Sequence, residues 1–187
     1  MARKLDLRTG RPVWTAYRAR TVPVEKLTRD VKADVLIIGM GISGAMMAET
    51  LSAQGLSIIC IDRRGPMLGS TPATTALVQF EVDEPLTSLS KMIGKSDAQQ
   101  AWRRSRLAVN NLRGRILELG IDCAMEAKQS LYIAGNAMGP GELREEAEAR
   151  RSAGIGATYL TAGALSERFG IAREGAILSH DNIALDP

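Results

Sequence analysis

The stretch VLIIGMGISG, from Val35 to Gly44, decides the fold of this chain. Its apolar first half leads into three glycines, Gly39, Gly41 and Gly44, with the spacing G-x-G-x-x-G. The run Ala33–Gly39 has the length and the apolar character of a buried parallel strand. Because the glycines begin where this strand ends, the stretch predicts either a tight turn into a helix or a cradle for a nucleotide.

The residues that follow complete a β-α-β unit. From Ser43 to Gln54 apolar residues recur at steps of three and four, which predicts a helix, and Gly55 predicts its end. Leu56–Asp62 is a second apolar strand. A right-handed crossover between parallel strands needs a unit of about thirty residues, which is the length found here. The sequence therefore predicts an α/β fold that begins with a Rossmann-like unit.

This context assigns a task to each glycine. Gly39 permits the tight turn out of the strand. Gly41 has no Cβ, so that a pyrophosphate can approach the backbone, and Gly44 lets the helix pack closely on the strand. At the start of the helix, Ile42 and Ser43 present free N–H groups and a partial positive charge to the phosphates.

Asp62 ends the second strand and is expected to accept a hydrogen bond from a ribose 2′-OH. Arg63 and Arg64 raise the alternative of a 2′-phosphate, but the Asp62 carboxylate would repel it, so NADP is disfavoured. A Gly-rich turn without a ligand is the other alternative. Since strand, glycines, helix, second strand and acid occur in the required order, a dinucleotide cradle is favoured, although the glycines alone do not separate NAD from FAD.

Composition and charge narrow the function classes. Hydrophobic residues make up 45% and charged residues 24% of the 187, as in ordinary globular proteins, while aromatic residues make up only 4%. Residues 1–32 carry nine Lys or Arg against three acids, a net +6, so the rest of a chain of net charge +3 is −3. We interpret this segment as a basic extension or a strap, and not as a nucleic-acid surface.

No apolar run approaches the roughly 18 residues of a membrane span, and the N-terminus has no apolar core of a secretory signal. Cys60 and Cys123 are too few for a disulfide framework or a zinc site, which predicts a reduced, cytoplasmic chain without a metal.

Beyond the second strand, a Gly/Pro/Thr-rich loop is followed by predicted helices and strands. The predicted helices are Pro85–Ile93, Asp97–Leu119, Gly141–Gly154 (exposed and salt-bridged) and Leu165–Phe169, and the predicted strands are Ser130–Gly135 and a segment near residue 180.

The stretch from Asp34 to Glu81 resembles the N-terminus of the D-amino-acid-oxidase-like family of FAD-dependent oxidoreductases, which includes glycine oxidase, sarcosine oxidase and the D-amino-acid dehydrogenases. In that family a short loop after the ribose acid leads into a run of small residues beside the flavin. The positions that match this loop, which we call the flavin loop (residues 63–77), are Arg63, Gly69, Ser70, Thr71, Thr75, Ala76 and Leu77. The family commonly has Glu at Asp62 and often Gly near Ala76.

The resemblance implies FAD as cofactor. It implies that Ser70 and Thr71 hydrogen-bond the pyrophosphate or the ribityl chain and that the Thr75–Leu77 backbone lies against the ring. The implied reaction oxidises the C–N bond of an amino acid or amine by hydride transfer, with hydrolysis of the imine and reoxidation by O₂ or a quinone.

Members of that family are roughly twice as long, and GAILSHDNIALDP resembles the point where their chain enters its next helix. We therefore expect an extension (1–32), an FAD-binding unit (33–80) and a helical segment with the start of a substrate domain (81–187), completed by a C-terminal half or a second copy.

No catalytic residue is assigned. His180 is interpreted as a solvated loop residue, and Tyr132 and Tyr159 as packing residues. An NAD-dependent dehydrogenase is disfavoured because no Tyr is followed four residues later by Lys. A non-catalytic fragment that binds nucleotide weakly, or acts as an assembly subunit, is the remaining alternative.

Overall fold

The structure is a computed structural model that describes residues 10–17 and 22–187. The chain divides into two compact units, one ending at Thr75 with Pro187 added, and one of Ala76–Asp186. The sequence predicts this boundary five residues later, after residue 80. The basic extension expected over residues 1–32 lies partly outside the described residues, at 1–9 and 18–21.

The first unit contains the expected parallel β-α-β arrangement. Strand β1 covers Val35–Ile38, helix α1 covers Ile42–Ser52 and strand β2 covers Ile58–Ile61. The two strands pair in parallel, with Val35 opposite Ile58 and Ile38 opposite Ile61. Two short 3₁₀ helices, Val13–Ala16 and Thr71–Ala73, complete the unit.

Among the described residues, every buried side chain belongs to the second unit. Several apolar side chains of the first unit are exposed: Leu36 by 57%, Ile38 by 80%, Met46 by 48% and Met47 by 53%. Parallel strands are normally covered on both faces, so this unit has apolar surface without a covering layer in the described chain.

The second unit is built on an antiparallel sheet. Its central strand is β6, Gly175–Ala184, which pairs with β3 (Leu77–Val78), β4 (Glu126–Ile133) and β5 (Ala157–Thr161). Strands β3 and β5 were not expected from the sequence. The four helices of the unit are α2, Leu86–Ile93; α3, Lys95–Glu118; α4, Pro140–Ser152; and α5, Ala162–Phe169.

The core of the second unit forms around helix α3. Its buried face contains Ala98, Trp102, Val109 and Ile116, which confirms the helical pattern read from the sequence. Trp102 packs edge-on against Phe80, with ring centroids 6.2 Å apart. Aromatic side chains bury large apolar areas, so this pair is a main contributor to the stability of the unit.

Helix α4 was expected to be exposed, and this was wrong. Leu143, Glu146, Ala147 and Arg150 are all buried, because the charged pair Glu146–Arg150 lies on the face that packs inward. Arg150 Nε donates to Glu146 Oε1 at 2.7 Å. The Arg150 guanidinium also lies over the Trp102 ring, 4.5 Å from its centroid.

Glu146 also caps helix α2. Its two carboxylate oxygens accept hydrogen bonds from the backbone N–H of Leu86 at 2.9 Å and of Thr87 at 2.8 Å. Burial raises the pKa of Glu146, but the hydrogen bonds from Arg150 and Thr87 lower it more, so the pKa is below its ordinary value. The carboxylate is therefore ionised at neutral pH and compensates the positive end of α2.

We predict that Glu146→Ala lowers the free energy of unfolding by about 3–5 kcal/mol, because Arg150 is left as a buried charge without its partner. Urea denaturation followed by far-UV circular dichroism measures this. The control is Glu148→Ala, whose carboxylate is 65% exposed and pairs with Arg151; it should change the free energy by less than about 1 kcal/mol.

The pH dependence has a defined sign. The pKa of Glu146 is lower in the folded protein than in the unfolded one. The ionised Glu146 therefore contributes to the free energy of unfolding at pH values above its unfolded pKa near 4.5, and this contribution is lost as the pH falls through its folded pKa. A Glu146→Ala protein as stable as the wild type at pH 7 would show that the cap and the ion pair do not hold α2 and α4 together.

Candidate dinucleotide site

The glycine loop (Gly39–Gly41) is joined to the flavin loop by the carboxylate of Asp62. Asp62 Oδ2 accepts a hydrogen bond from the Met40 N–H at 2.8 Å. Asp62 Oδ1 accepts two more, from the N–H groups of Arg64 at 2.7 Å and Gly65 at 3.0 Å. One side chain therefore orders the backbone on both sides of the strand ends.

A second contact crosses the same two loops. The Met67 N–H donates to the Met40 carbonyl at 3.1 Å, so both backbone groups of Met40 are bonded to the segment after β2. The pKa of Asp62 is lowered chiefly by the hydrogen bond from Met40, and further by the one from Arg64. The charged form is thus the one that the loops require.

The role expected for Asp62, a hydrogen bond to a ribose hydroxyl, stays a prediction. A carboxylate has about four lone-pair positions, and the three bonds described here leave one position on Oδ2. The structural role of Asp62, as an acceptor for backbone N–H groups, was not predicted from the sequence. The strand-end position was visible in the sequence, but the partners are backbone N–H groups, which leave no pattern.

The outer two glycines are required by backbone geometry. Gly39 has φ +107°, a conformation that other residues rarely adopt. A Cβ built on Gly44 would lie 1.9 Å from the Gly39 carbonyl oxygen and 3.5 Å from Ile37 Cγ2. Helix α1 therefore lies against β1 at a distance that only glycine allows.

Gly41 is the glycine that faces the flavin loop. It is the N-cap of α1, and no side chain caps that end of the helix. A Cβ on Gly41 would lie 3.3 Å from Thr71 Oγ1, so the Thr71 hydroxyl faces the glycine loop. The backbone N–H groups at the start of α1, at Ile42 and Ser43, can serve an anion such as a pyrophosphate.

The structure groups ten of the twelve expected cofactor residues in the first unit. Ser70 and Thr71 lie at the second 3₁₀ helix, Arg63 is exposed, and Thr75 is the last residue of the unit before the boundary. The other two, Ala76 and Leu77, belong to the second unit. Ala76 has φ +60°, a left-handed conformation that glycine adopts more easily.

His180 was expected in a solvated loop. The prediction of a loop is wrong, whereas the side chain is exposed as expected. It lies within strand β6, exposed, and its Nδ1 is 3.1 Å from Gln129 Nε2. Opposite Gln129, β6 contains one extra residue, since Lys128 pairs with Asn182 and Ser130 with Ser179. Asp181 in this bulge has φ +70° and bonds Arg106 Nε at 2.7 Å.

Tyr132 and Tyr159 pack against a buried cluster of the second unit, and Arg144 lies 5.1 Å from the Tyr159 ring centroid. Both side chains contribute to the core and are partly buried there.

Within residues 10–17 and 22–187, no helix has the length and apolar character needed to cross a membrane.

A family profile described as "FAD dependent oxidoreductase" (DAO) matches residues 34–187, which is most of the chain. The chain belongs to the DAO family of FAD-dependent oxidoreductases. FAD, the cofactor implied by the flavin loop, is the cofactor of this family, and the resemblance of residues 34–81 is thereby confirmed.

A curated relative from Bacillus subtilis (strain 168), named "Putative Rieske 2Fe-2S iron-sulfur protein YhfW", is 27% identical over 129 residues, 69% of this chain and 25% of the relative. Glycine oxidase from Bacillus cereus ATCC 14579 superposes with a TM-score of 0.60 at 21% identity, over 83% of this chain and 40% of the oxidase. L-amino acid deaminase from Proteus vulgaris gives 0.66 at 17%, over 89% and 37%.

The two solved structures show that the chain has the α/β fold of FAD-binding DAO proteins. The chain spans about a quarter of the length of the curated relative and about two-fifths of the two solved ones.

We predict that Gly44→Ala disrupts the first unit, because the new methyl group would occupy the position of the Gly39 carbonyl oxygen. The cost should be about 3 kcal/mol or more, the upper range for overpacking. Limited proteolysis between α1 and β2, read by mass spectrometry, measures it.

The control is Gly114→Ala in α3, where a Cβ meets nothing within 4 Å. This variant should be stabilised by about 0.5–1 kcal/mol, since alanine is the better helix former. Equal protease resistance of Gly44→Ala and the wild type would contradict the close approach of α1 to β1.

Proposed function

We propose that the first unit holds the ADP part of FAD in an oxidoreductase that oxidises the C–N bond of an amino acid or amine. The observation that carries this proposal is the arrangement of groups around Gly41. An uncapped helix N-terminus, a glycine without a Cβ and the Thr71 hydroxyl meet there. Such a combination suits a pyrophosphate, which needs both N–H donors and close approach to the backbone.

Each residue of the site then has a task in binding. The N–H groups of Gly41, Ile42 and Ser43 bind the pyrophosphate. Asp62 uses its remaining lone pair on Oδ2 for a ribose hydroxyl while it holds Met40. Arg63, Ser70, Thr71 and the Thr75–Leu77 backbone complete the contacts to the nucleotide, the ribityl chain and the ring.

FAD, when bound, supplies a hydride acceptor for the substrate carbon that carries the nitrogen. The substrate loses that hydride and an N–H proton and becomes an imine, and water converts the imine to a carbonyl compound and the free amine or ammonia. We propose O₂ or a quinone as the final electron acceptor. Support for the substrate class comes from the names of the similar structures, glycine oxidase and L-amino acid deaminase.

We further propose that a C-terminal part of the DAO fold, continuous with this chain or a separate polypeptide, covers the β1–β2 sheet. Within the described residues, β1 pairs with β2 on one edge, and its other edge has no strand. Leu36 and Ile38, on one face of β1, are exposed by 57% and 80%. An open edge and an apolar face on a parallel sheet are favourable places for further strands.

The cytoplasm remains the proposed location. Cys60 and Cys123 are both free thiols, which suits a reducing compartment. The second unit is proposed as the start of the substrate region.

The first test is the visible absorption spectrum of the purified protein with added FAD. We expect the shifted, resolved bands of a bound flavin, and we expect Gly41→Val to abolish them because its side chain fills the space beside Thr71. Gly141→Val, at an exposed position of α4 where a Cβ meets nothing within 4 Å, should retain them.

Tight binding of NADH without flavin binding would overturn the cofactor proposal. If the isolated chain binds neither FAD nor NADH, the non-catalytic fragment is favoured for it. FAD binding would then require the covering polypeptide.

The second test is co-expression with the polypeptide encoded immediately downstream. We expect co-purification of both polypeptides with bound FAD, and loss of the assembly in Ile38→Glu. Met92→Glu, in α2 and 70% exposed at the wild-type residue, is the control and should leave the assembly intact. A homodimer of the chain alone that Ile38→Glu dissociates would show that a second copy covers this face.

A further inference from the structure

A contact between two distant segments of the first unit has no place in the site described so far. The indole Nε1–H of Trp14 donates to the Thr74 carbonyl at 2.8 Å, across 60 residues of sequence. Trp14 belongs to the 3₁₀ helix Val13–Ala16, and Thr74 directly follows the 3₁₀ helix Thr71–Ala73. The N-terminal segment therefore contacts the flavin loop.

The segment that carries Trp14 is itself ordered by local bonds. The Pro12 carbonyl accepts from the Thr15 N–H at 3.1 Å and from the Thr15 hydroxyl at 2.7 Å. The rings of Trp14 and Tyr17 pack with centroids 5.6 Å apart. Because these local bonds hold the turn, the indole N–H is presented at a lower entropic cost than from an unstructured segment.

The loop segment that receives this bond is the one that faces the glycine loop. The Ala73 N–H donates to the Ser70 carbonyl at 2.9 Å and the Thr74 N–H to the Thr71 carbonyl at 3.3 Å, so residues 70–74 form one hydrogen-bonded turn. Thr71 Oγ1 in this turn lies 3.3 Å from the position of a Cβ on Gly41. A displacement of Thr74 would therefore move the Thr71 hydroxyl relative to Gly41.

We propose that residues 11–17 form a strap that positions the flavin loop, and that Trp14 is its positioning residue. Trp14 acts through Thr74 on Ser70 and Thr71, and is not a ligand of the cofactor. The inference rests on the proposed function for the cofactor role of the loop. The basic extension was interpreted as an extension or a strap, and the segment around Trp14 contacts a loop of the same unit.

The first experiment needs no cofactor. Trp14→Phe keeps an aromatic ring at position 14 and removes the indole N–H that donates to Thr74. Hydrogen exchange of the 70–75 peptide is then followed by mass spectrometry. We expect roughly three- to tenfold faster exchange at the Ala73 and Thr74 amides, the range that one hydrogen bond supports. Tyr17→Phe, which keeps the indole bond, is the control and should exchange like the wild type. Unchanged exchange in Trp14→Phe overturns the strap.

The second experiment compares FAD binding. Trp14→Phe should bind FAD roughly three- to tenfold more weakly and shift the visible bands of the bound flavin, and Trp14→Ala should do so more strongly. Faster exchange without any change in affinity or spectrum would reduce the strap to a purely structural role and overturn the positioning claim. Failure of the wild-type chain alone to bind FAD would favour the non-catalytic fragment over the proposed function for the isolated chain, while the exchange experiment still decides whether the strap exists.

Discussion

The carboxylate of Asp62 holds the first unit together at its strand ends. It accepts three backbone N–H groups, from Met40, Arg64 and Gly65. No side chain of this unit is buried in the part of the chain that the structure describes, so its loops are fixed by hydrogen bonds and by glycine geometry. The second unit differs, because Trp102 and its neighbours supply a hydrophobic core.

This difference between the units suits what each is proposed to do. A cofactor loop must present backbone groups to a ligand, and a loop fixed in advance loses less entropy when the ligand arrives. Asp62 fixes the glycine loop through the Met40 N–H, and Trp14 fixes the flavin loop through the Thr74 carbonyl. Apolar residues such as Ile38 remain exposed, which is consistent with a sheet that further polypeptide covers.

The sequence predicted those features that repeat with the period of a helix or strand. Strands β1 and β2, helix α1 and the buried face of α3 around Trp102 were found because their apolar spacing is local and regular. Strand β5 has the sequence ATYLT, which lacks the continuous apolar run that marks β1 and β2, so it was not predicted.

Buried polar groups were the harder class to predict. Glu146 and Arg150 have the i,i+4 spacing of a solvent-exposed pair, and only the tertiary structure shows that this face of α4 packs inward. The bonds of Asp62 to Met40 and of Trp14 to Thr74 join a side chain to distant backbone groups. Since every residue carries the same backbone groups, no sequence pattern marks such partners.

The central claim is that the first unit recognises the ADP part of FAD through Gly41, α1 and Asp62. The most direct measurement is competition: FAD bound to the protein is displaced with ADP or with FMN, and free flavin is followed by fluorescence. ADP carries the pyrophosphate and the adenosine ribose, so it should displace FAD, while FMN at the same concentration should not. Displacement by FMN and none by ADP would contradict the account.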